Sequence, residues 1–214
     1  MSIMKRAVLG VRMHSGWGVV VAVSGEAGQM DVIDRRRIVT MDPRIPGANQ
    51  PYHHAASLAP AEAERYIANC AAASERLAME AVTEVLRELE SRQFRVVASA
   101  ILLASGRPLP ALSKILESHA LIHTAEGEFF RNAVRKACER LKIAVAVIRE
   151  RELDERAGAA LGRAAGRVQR RISEVGGSLG PPWAKDHKSA SLAASMILFG
   201  RAQGNGLSAR EEPR

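Results

Sequence analysis

Apolar residues along the chain follow two periods. Near the N-terminus they cluster in short runs separated by glycine-bearing turns. Ala7 to Met13 is one run, Trp17 to Val23 a second and Met30 to Met41 a third, with His14-Ser15-Gly16 and Gly25-Glu26-Ala27-Gly28 between them. Runs of this length with such turns predict a three-stranded antiparallel meander. The third run contains Arg35, Arg36 and Arg37. Three consecutive arginines do not all face a core, so this strand is predicted at a sheet edge or on a ligand-facing surface. Residues 42–59 carry three prolines and a glycine and read as a long loop, which singles out His53 and His54 within it.

The period then changes. Pro60 opens a helix whose apolar face runs Ala63, Ile67, Cys70, Ser74, Leu77, Ala81, Val85 and Leu89, with Glu62 and Glu64 in the dipole-favoured first turn. Arg95 to Ala104 is a nearly continuous apolar run, the signature of a strand buried on both faces. A Gly-Arg-Pro-Leu-Pro break follows. Phe130, Ala133, Val134, Ala137, Cys138 and Leu141 form a helical stripe, and Ile143 to Ile148 is a second apolar strand. Two strands joined by a helical crossover are parallel, with a right-handed connection. Arg149 to Arg171 is charged and helical in character, and Gly176-Gly-Ser-Leu-Gly-Pro-Pro182 breaks it. Asp186, a good N-cap, starts a last helix carrying Leu192, Ala193, Met196 and Ile197. The tail from Arg201 reads as disordered. The expectation is one α/β domain over residues 1–200, with a five-stranded mixed sheet in the order 3-2-1-4-5 and helices on both faces.

Composition narrows the partners. The 214 residues carry a formal charge of +8 and a pI near 10.2, which favours a polyanion such as nucleic acid. Arg35, Arg36, Arg37 and Lys188, with Arg163, Arg167, Arg170 and Arg171, are the predicted phosphate contacts. Aromatic residues make up only 4%, so stacking platforms are not evident. Cys70 and Cys138 each lie on the apolar stripe of a helix and have no C-x-x-C partner. They read as reduced core thiols of a cytoplasmic protein. Neither a secretion signal nor a membrane-length apolar run is evident.

The element order β-β-β-α-β-α-β-α, the opening strand Val8-Leu-Gly-Val11 and the closing helix Asp186-His-Lys-Ser-Ala-Ser-Leu-Ala-Ala194 resemble the ribonuclease-H-like superfamily, most of all its resolvase branch. The resemblance covers roughly residues 6–200. It implies a site in which carboxylates from the first strand, the fourth strand and the last helix hold magnesium or manganese. Two such ions about 3.5–4 Å apart clamp the attacking and leaving oxygens of a phosphodiester. This sequence departs from that pattern. Arg12 stands at or near the position of the first aspartate, the fourth strand ends Leu103-Ala-Ser105 without an acid, and only Asp186 matches a family carboxylate. The fixed charge of Arg12 disfavours a metal ion there.

Ligands of such sheets sit where the chain reverses between strands one and four. The candidates are His14 and Ser15 after the first strand, Ser105 and Arg107 after the fourth, and His123, Thr124, Glu126 and Glu128 near the crossover helix. Asp186, His187 and Lys188 open the last helix, and His53 or His54 could reach in from the loop. His14, Glu126, Asp186 and His187 are the catalytic candidates and Glu126 and Asp186 the metal candidates, with Arg12 expected to pair with one of those two acids. Three functions follow from these residues. The first is a nucleic-acid or nucleotide binder without two-metal cleavage. The second is a nuclease or hydrolase with a rearranged His/Glu/Asp site. The third is an interaction module, with a homodimer through the Pro60–Glu90 helix.

Overall fold

The computed structural model describes residues 3–26, 29–104 and 108–200, so the expectations for Ser105, Arg107 and the tail from Arg201 lie outside the described residues. Strands β1 (Lys5–Met13), β2 (Trp17–Glu26) and β3 (Gln29–Val39) form the meander. Strands β4 (Phe94–Leu103) and β5 (Ala144–Arg149) complete a sheet of order β3-β2-β1-β4-β5. β1 pairs antiparallel with β2 (Val8 opposite Val23) and parallel with β4 (Leu9 opposite Ser99). This is the α/β architecture expected from the sequence.

Strand alternation divides the core in two. Leu9, Val11, Met13, Val20, Ala22 and Ile38 face helices α2 (Pro60–Ser91) and α4 (His119–Arg140). Val8, Val19, Val21 and Val23 face the C-terminal helices α5 (Leu153–Leu161), α6 (Ala165–Leu179) and α7 (Lys185–Phe199). Gly10 lies on this second face, where α7 crosses β1 so closely that a Cβ would overlap the Ala190 carbonyl oxygen and sit 2.5 Å from its carbon. Gly10 sets the position of α7 on the sheet, and thereby the position of its first turn over Arg12.

Several element boundaries differ from the sequence reading. Residues 42–59 hold a short helix, α1 (Pro51–Ala55), whose Pro51 fits the first helical position. A second short helix, α3 (Leu112–Leu116), precedes α4, and α4 begins eleven residues ahead of Phe130, with Ile122 and Ala125 extending its buried stripe. On α2 the buried face passes through Ala78 and Val82 rather than Leu77 and Ala81, following the true 3.6-residue period. The charged helical stretch forms two helices, parted at Gly162 with φ 52°. Gly176 and Gly177 do not end α6, because Trp183 packs where a Gly176 side chain would stand. The helix stops at Gly180 with φ 72°. No helix among the described residues is long and apolar enough to cross a membrane.

Candidate functional site

At the C-terminal end of β1, Arg12 points towards α7 while Met13 joins the opposite core. Arg12 bonds Asp186 and chelates Glu150 through Nε at 3.2 Å and Nη2 at 3.0 Å. Burial disfavours its charge, but Glu150 and Asp186 outweigh that and raise its pKa. His14 Nε2 lies 2.8 Å from Asp186 Oδ2. Burial pushes the Asp186 carboxyl up, while the His14 bond and the Arg12 charge draw it down more strongly, leaving it below its usual range. Asp186 is not the N-cap. That position is Ala184, and Asp186 sits in the first turn with its carboxylate turned to the sheet.

A second arginine, Arg131 of α4, closes the same end of the sheet from the other side. It is buried and donates to Leu102 O at 2.9 Å, Met13 O at 3.3 Å and Gly127 O. Burial lowers its pKa, offset by the nearby Glu128 and Glu150 charges. Glu128 is buried, and its Oε1 has no hydrogen-bond partner among the described residues. The strand-one end of the sheet therefore holds two guanidinium groups among Asp186, Glu150 and Glu128.

Two grooves flank the start of α7. One, of about 620 Å³, is lined by Trp17, Val19, Arg35, Arg36, Arg37, Pro182, Ala184, Asp186 and His187. Trp17 stacks on His14 at 4.4 Å, and the Arg37 guanidinium lies 4.5 Å from the Trp17 ring centroid. His187 packs on Trp183 at 5.6 Å and accepts the Ala184 N–H through Nδ1. Burial lowers its pKa, helped by the Arg35 charge. The other groove, of about 430 Å³, runs between α5, α6 and α7 and contains Lys188, Lys185, Arg151 and Glu150. Arg12 thus ties an acid of one groove to an acid of the other.

The arginine run of β3 is divided by alternation. Arg35 donates to the carbonyls of Leu179, Gly180 and Pro182, fastening the end of α6 to the edge strand. Arg36, on the opposite face, pairs with Asp34 and Glu88. Arg37 is exposed and, among the described residues, makes no ion pair. Arg171 bonds Asp31 and Met30 O, whereas Arg163, Arg167 and Arg170 lie exposed along the α6 side.

Glu126 is not in this crevice. Its Oε1 accepts the backbone N–H groups of Tyr52 at 2.8 Å and His53 at 3.1 Å, capping the start of α1. It is unavailable to Arg12, whose second acid is Glu150 instead. Burial raises the Glu126 pKa, with the His53 contacts opposing. The expected convergence of histidines is likewise split. His14 and His187 flank Asp186, His53 and His123 meet elsewhere with His119, and His54 packs on Tyr66 at 4.5 Å. Ser15 is exposed and Thr124 half-buried, with Thr124 Oγ1 donating to Ala120 O within its own helix. Sequence reasoning missed Glu150, Arg131, Trp17 and His119. The H-x-x-x-H spacing of His119 and His123 was readable, but only once α4 was extended back to its true start.

No protein-family model matches the chain, and no curated protein sequence matches it. Solved structures do. The structure of Thermus thermophilus RuvC in complex with a Holliday junction substrate aligns over 90% of this chain and 93% of that one, at 13% identity and TM-score 0.51. Thermus thermophilus RuvC aligns over 89% and 92%, at 12% identity and TM-score 0.47. A Ppx/GppA family member from Aquifex aeolicus covers 76% of this chain and 41% of its own, at 11% identity and TM-score 0.36. The fold is the ribonuclease-H-like one that the RuvC structure aligned at TM-score 0.51 shares.

Proposed function

We propose that the protein binds nucleic acid through the Trp17 groove and does not cleave it by a two-metal route. The observation that carries this reading is Arg12, held between Asp186 and Glu150 where the resemblance implies a metal ion. A guanidinium stays charged across the working pH range, so it repels a divalent cation and already satisfies the carboxylates that would bind one. Binding is supported by the groove chemistry. Arg37 offers a cation beside the Trp17 ring, His187 and Trp183 add stacking surface, and Arg163, Arg167 and Arg170 add exposed positive charge. The resolvase neighbour aligned at TM-score 0.51 holds a Holliday junction substrate, which makes a branched junction the first ligand to try. The buried free thiols of Cys70 and Cys138, the latter pushed up to about 11 by burial, suit a reducing cytoplasm.

The test uses fluorescently labelled single strand, duplex and four-way junction at low and moderate salt. Micromolar binding is expected, weakening steeply as salt rises because phosphate contacts release counterions. Trp17→Ala and Arg37→Glu should each weaken binding at least fivefold. No cleavage is expected with magnesium or manganese. Manganese-dependent cleavage that disappears in Asp186→Asn, or no binding at micromolar protein, overturns the proposal.

A further inference from the structure

Three imidazoles meet where α1 packs on α4, away from Arg12 and its acids. His119 and His123 are four residues apart on α4 and so share one face. Their Nε2 atoms are 2.9 Å apart and their rings meet edge to face at 4.4 Å. His53 of α1 completes the group, its ring 4.9 Å from His123 and 5.6 Å from His119. One ring nitrogen of each lies within 4.8 Å of the other two. This is the one grouping of three or more histidine, cysteine or acidic ligand atoms at that spacing among the described residues.

Glu126 gives the cluster its order. It is only 6% exposed, and one of its oxygens both anchors the α1 backbone and lies 3.3 Å from His53 Nδ1. A carboxylate at Nδ1 selects the tautomer with the proton there and leaves the Nε2 lone pair free. That is the arrangement by which buried acids orient metal-binding histidines. The other oxygen, Oε2, is buried with no hydrogen-bond partner among the described residues. His119 and His123, by contrast, are exposed, so an ion can reach them.

We propose that His53, His119 and His123 form a binding site for a divalent transition-metal ion of the zinc class, with Glu126 as the positioning residue behind His53. Three nitrogen donors and no first-rank oxygen favour zinc, cobalt, nickel or copper over magnesium, which requires oxygen ligands. Tetrahedral zinc with ligands at about 2.0–2.1 Å needs nitrogens roughly 3.3 Å apart. The His119–His123 pair is within a few tenths of an ångström of that, and His53 closes by rotating its half-buried ring. A three-histidine set leaves one coordination position open to water. The ion would clip α1, and the 42–59 segment that carries it, to the N-terminal half of α4. This proposal is independent of nucleic-acid binding.

The experiment titrates zinc chloride into the full chain by calorimetry, with magnesium chloride as a parallel arm, and records the visible spectrum of the cobalt-loaded protein. One zinc per chain at micromolar or tighter Kd is expected, with a raised thermal midpoint and with cobalt bands of a four-coordinate site. Magnesium should produce no heat and no shift. His119→Gln and His123→Gln, both surface changes that leave packing intact, should each weaken zinc binding at least thirtyfold. Glu126→Gln should keep the stoichiometry and weaken binding about tenfold, as loss of an orienting partner does. Absence of one-to-one zinc binding at 100 µM, a concentration of about a hundred times the expected Kd, overturns the proposal. So does unchanged affinity in both His119→Gln and His123→Gln.

Discussion

Replacing Arg12 with methionine keeps the apolar stem and removes the guanidinium. Two hydrogen bonds to Glu150, at 3.2 and 3.0 Å, and one to Asp186 are lost. Breaking a fully buried pair costs about 3–5 kcal/mol, whereas an exposed pair contributes about 0–1 kcal/mol. The side chains of Arg12, Asp186 and Glu150 are 17%, 20% and 30% exposed, which puts this array between the two limits. The expected loss at neutral pH is about 2–3 kcal/mol. Its pH dependence has a definite sign. Asp186 has a folded pKa below its unfolded value, despite a burial effect in the other direction. Such a group contributes stability that is complete above the unfolded pKa and disappears as pH falls through the folded one. The gap between wild type and Arg12→Met should therefore be widest above about pH 5 and shrink as pH falls towards about 3. Urea midpoints at matched m-values measure it. An equal loss at both ends of that range would assign the effect to packing. A loss under about 0.5 kcal/mol at neutral pH would mean that Arg12 is simply solvated.

Gly10→Ala forces a methyl into the Ala190 backbone, which lacks the freedom of a side chain to move aside. It should destabilise by about 3 kcal/mol or more and lift the first turn of α7 away from Arg12, read as a fall in denaturation midpoint together with weaker nucleic-acid binding. His187 is buried with its pKa lowered by desolvation, so it favours the neutral form and contributes stability above its unfolded pKa that is lost on acidification. His187→Phe should flatten the stability profile between about pH 7 and 5, and an unchanged slope would contradict this.

Strand order was legible because periodicity and turn chemistry act locally. The Val-rich runs of β1, β2 and β4 face core on both sides, and glycine turns left the meander few alternatives. The pairing of Arg12 with an acid was also legible, since a charge inside a buried strand needs a partner. Which acid was not. Glu126 looked suitable by its place after β4, but α4 turns it to the α1 backbone, a matter of helix phase invisible without the helix start. Glu150 follows β5 directly and reaches Arg12 only because two parallel strands end side by side. The arginine run misled in a different way. Alternation sends Arg35 and Arg36 to opposite faces, each to its own structural partners, and leaves Arg37 over the Trp17 ring with no ion pair among the described residues. Long-range carbonyl acceptors such as those of residues 179–182 leave no mark on the local pattern.

The close crossing of α7 over Gly10 has a consequence for how the chain matures. Val8, Val19, Val21 and Val23 are covered largely by a helix that starts at Lys185, roughly 160 residues later. At a ribosomal rate of about 5–20 residues per second, one face of the nascent sheet stays bare for on the order of 10–30 s. The opposite face closes earlier, once α2 and α4 have emerged. A half-finished molecule is therefore a sheet with one sealed side and one adhesive side, a natural client for a chaperone. The Arg12–Asp186 pair is absent from every such intermediate, so until its last described helix docks the nascent chain has only Glu150, of Arg12's two acids, to neutralise the arginine at the end of β1.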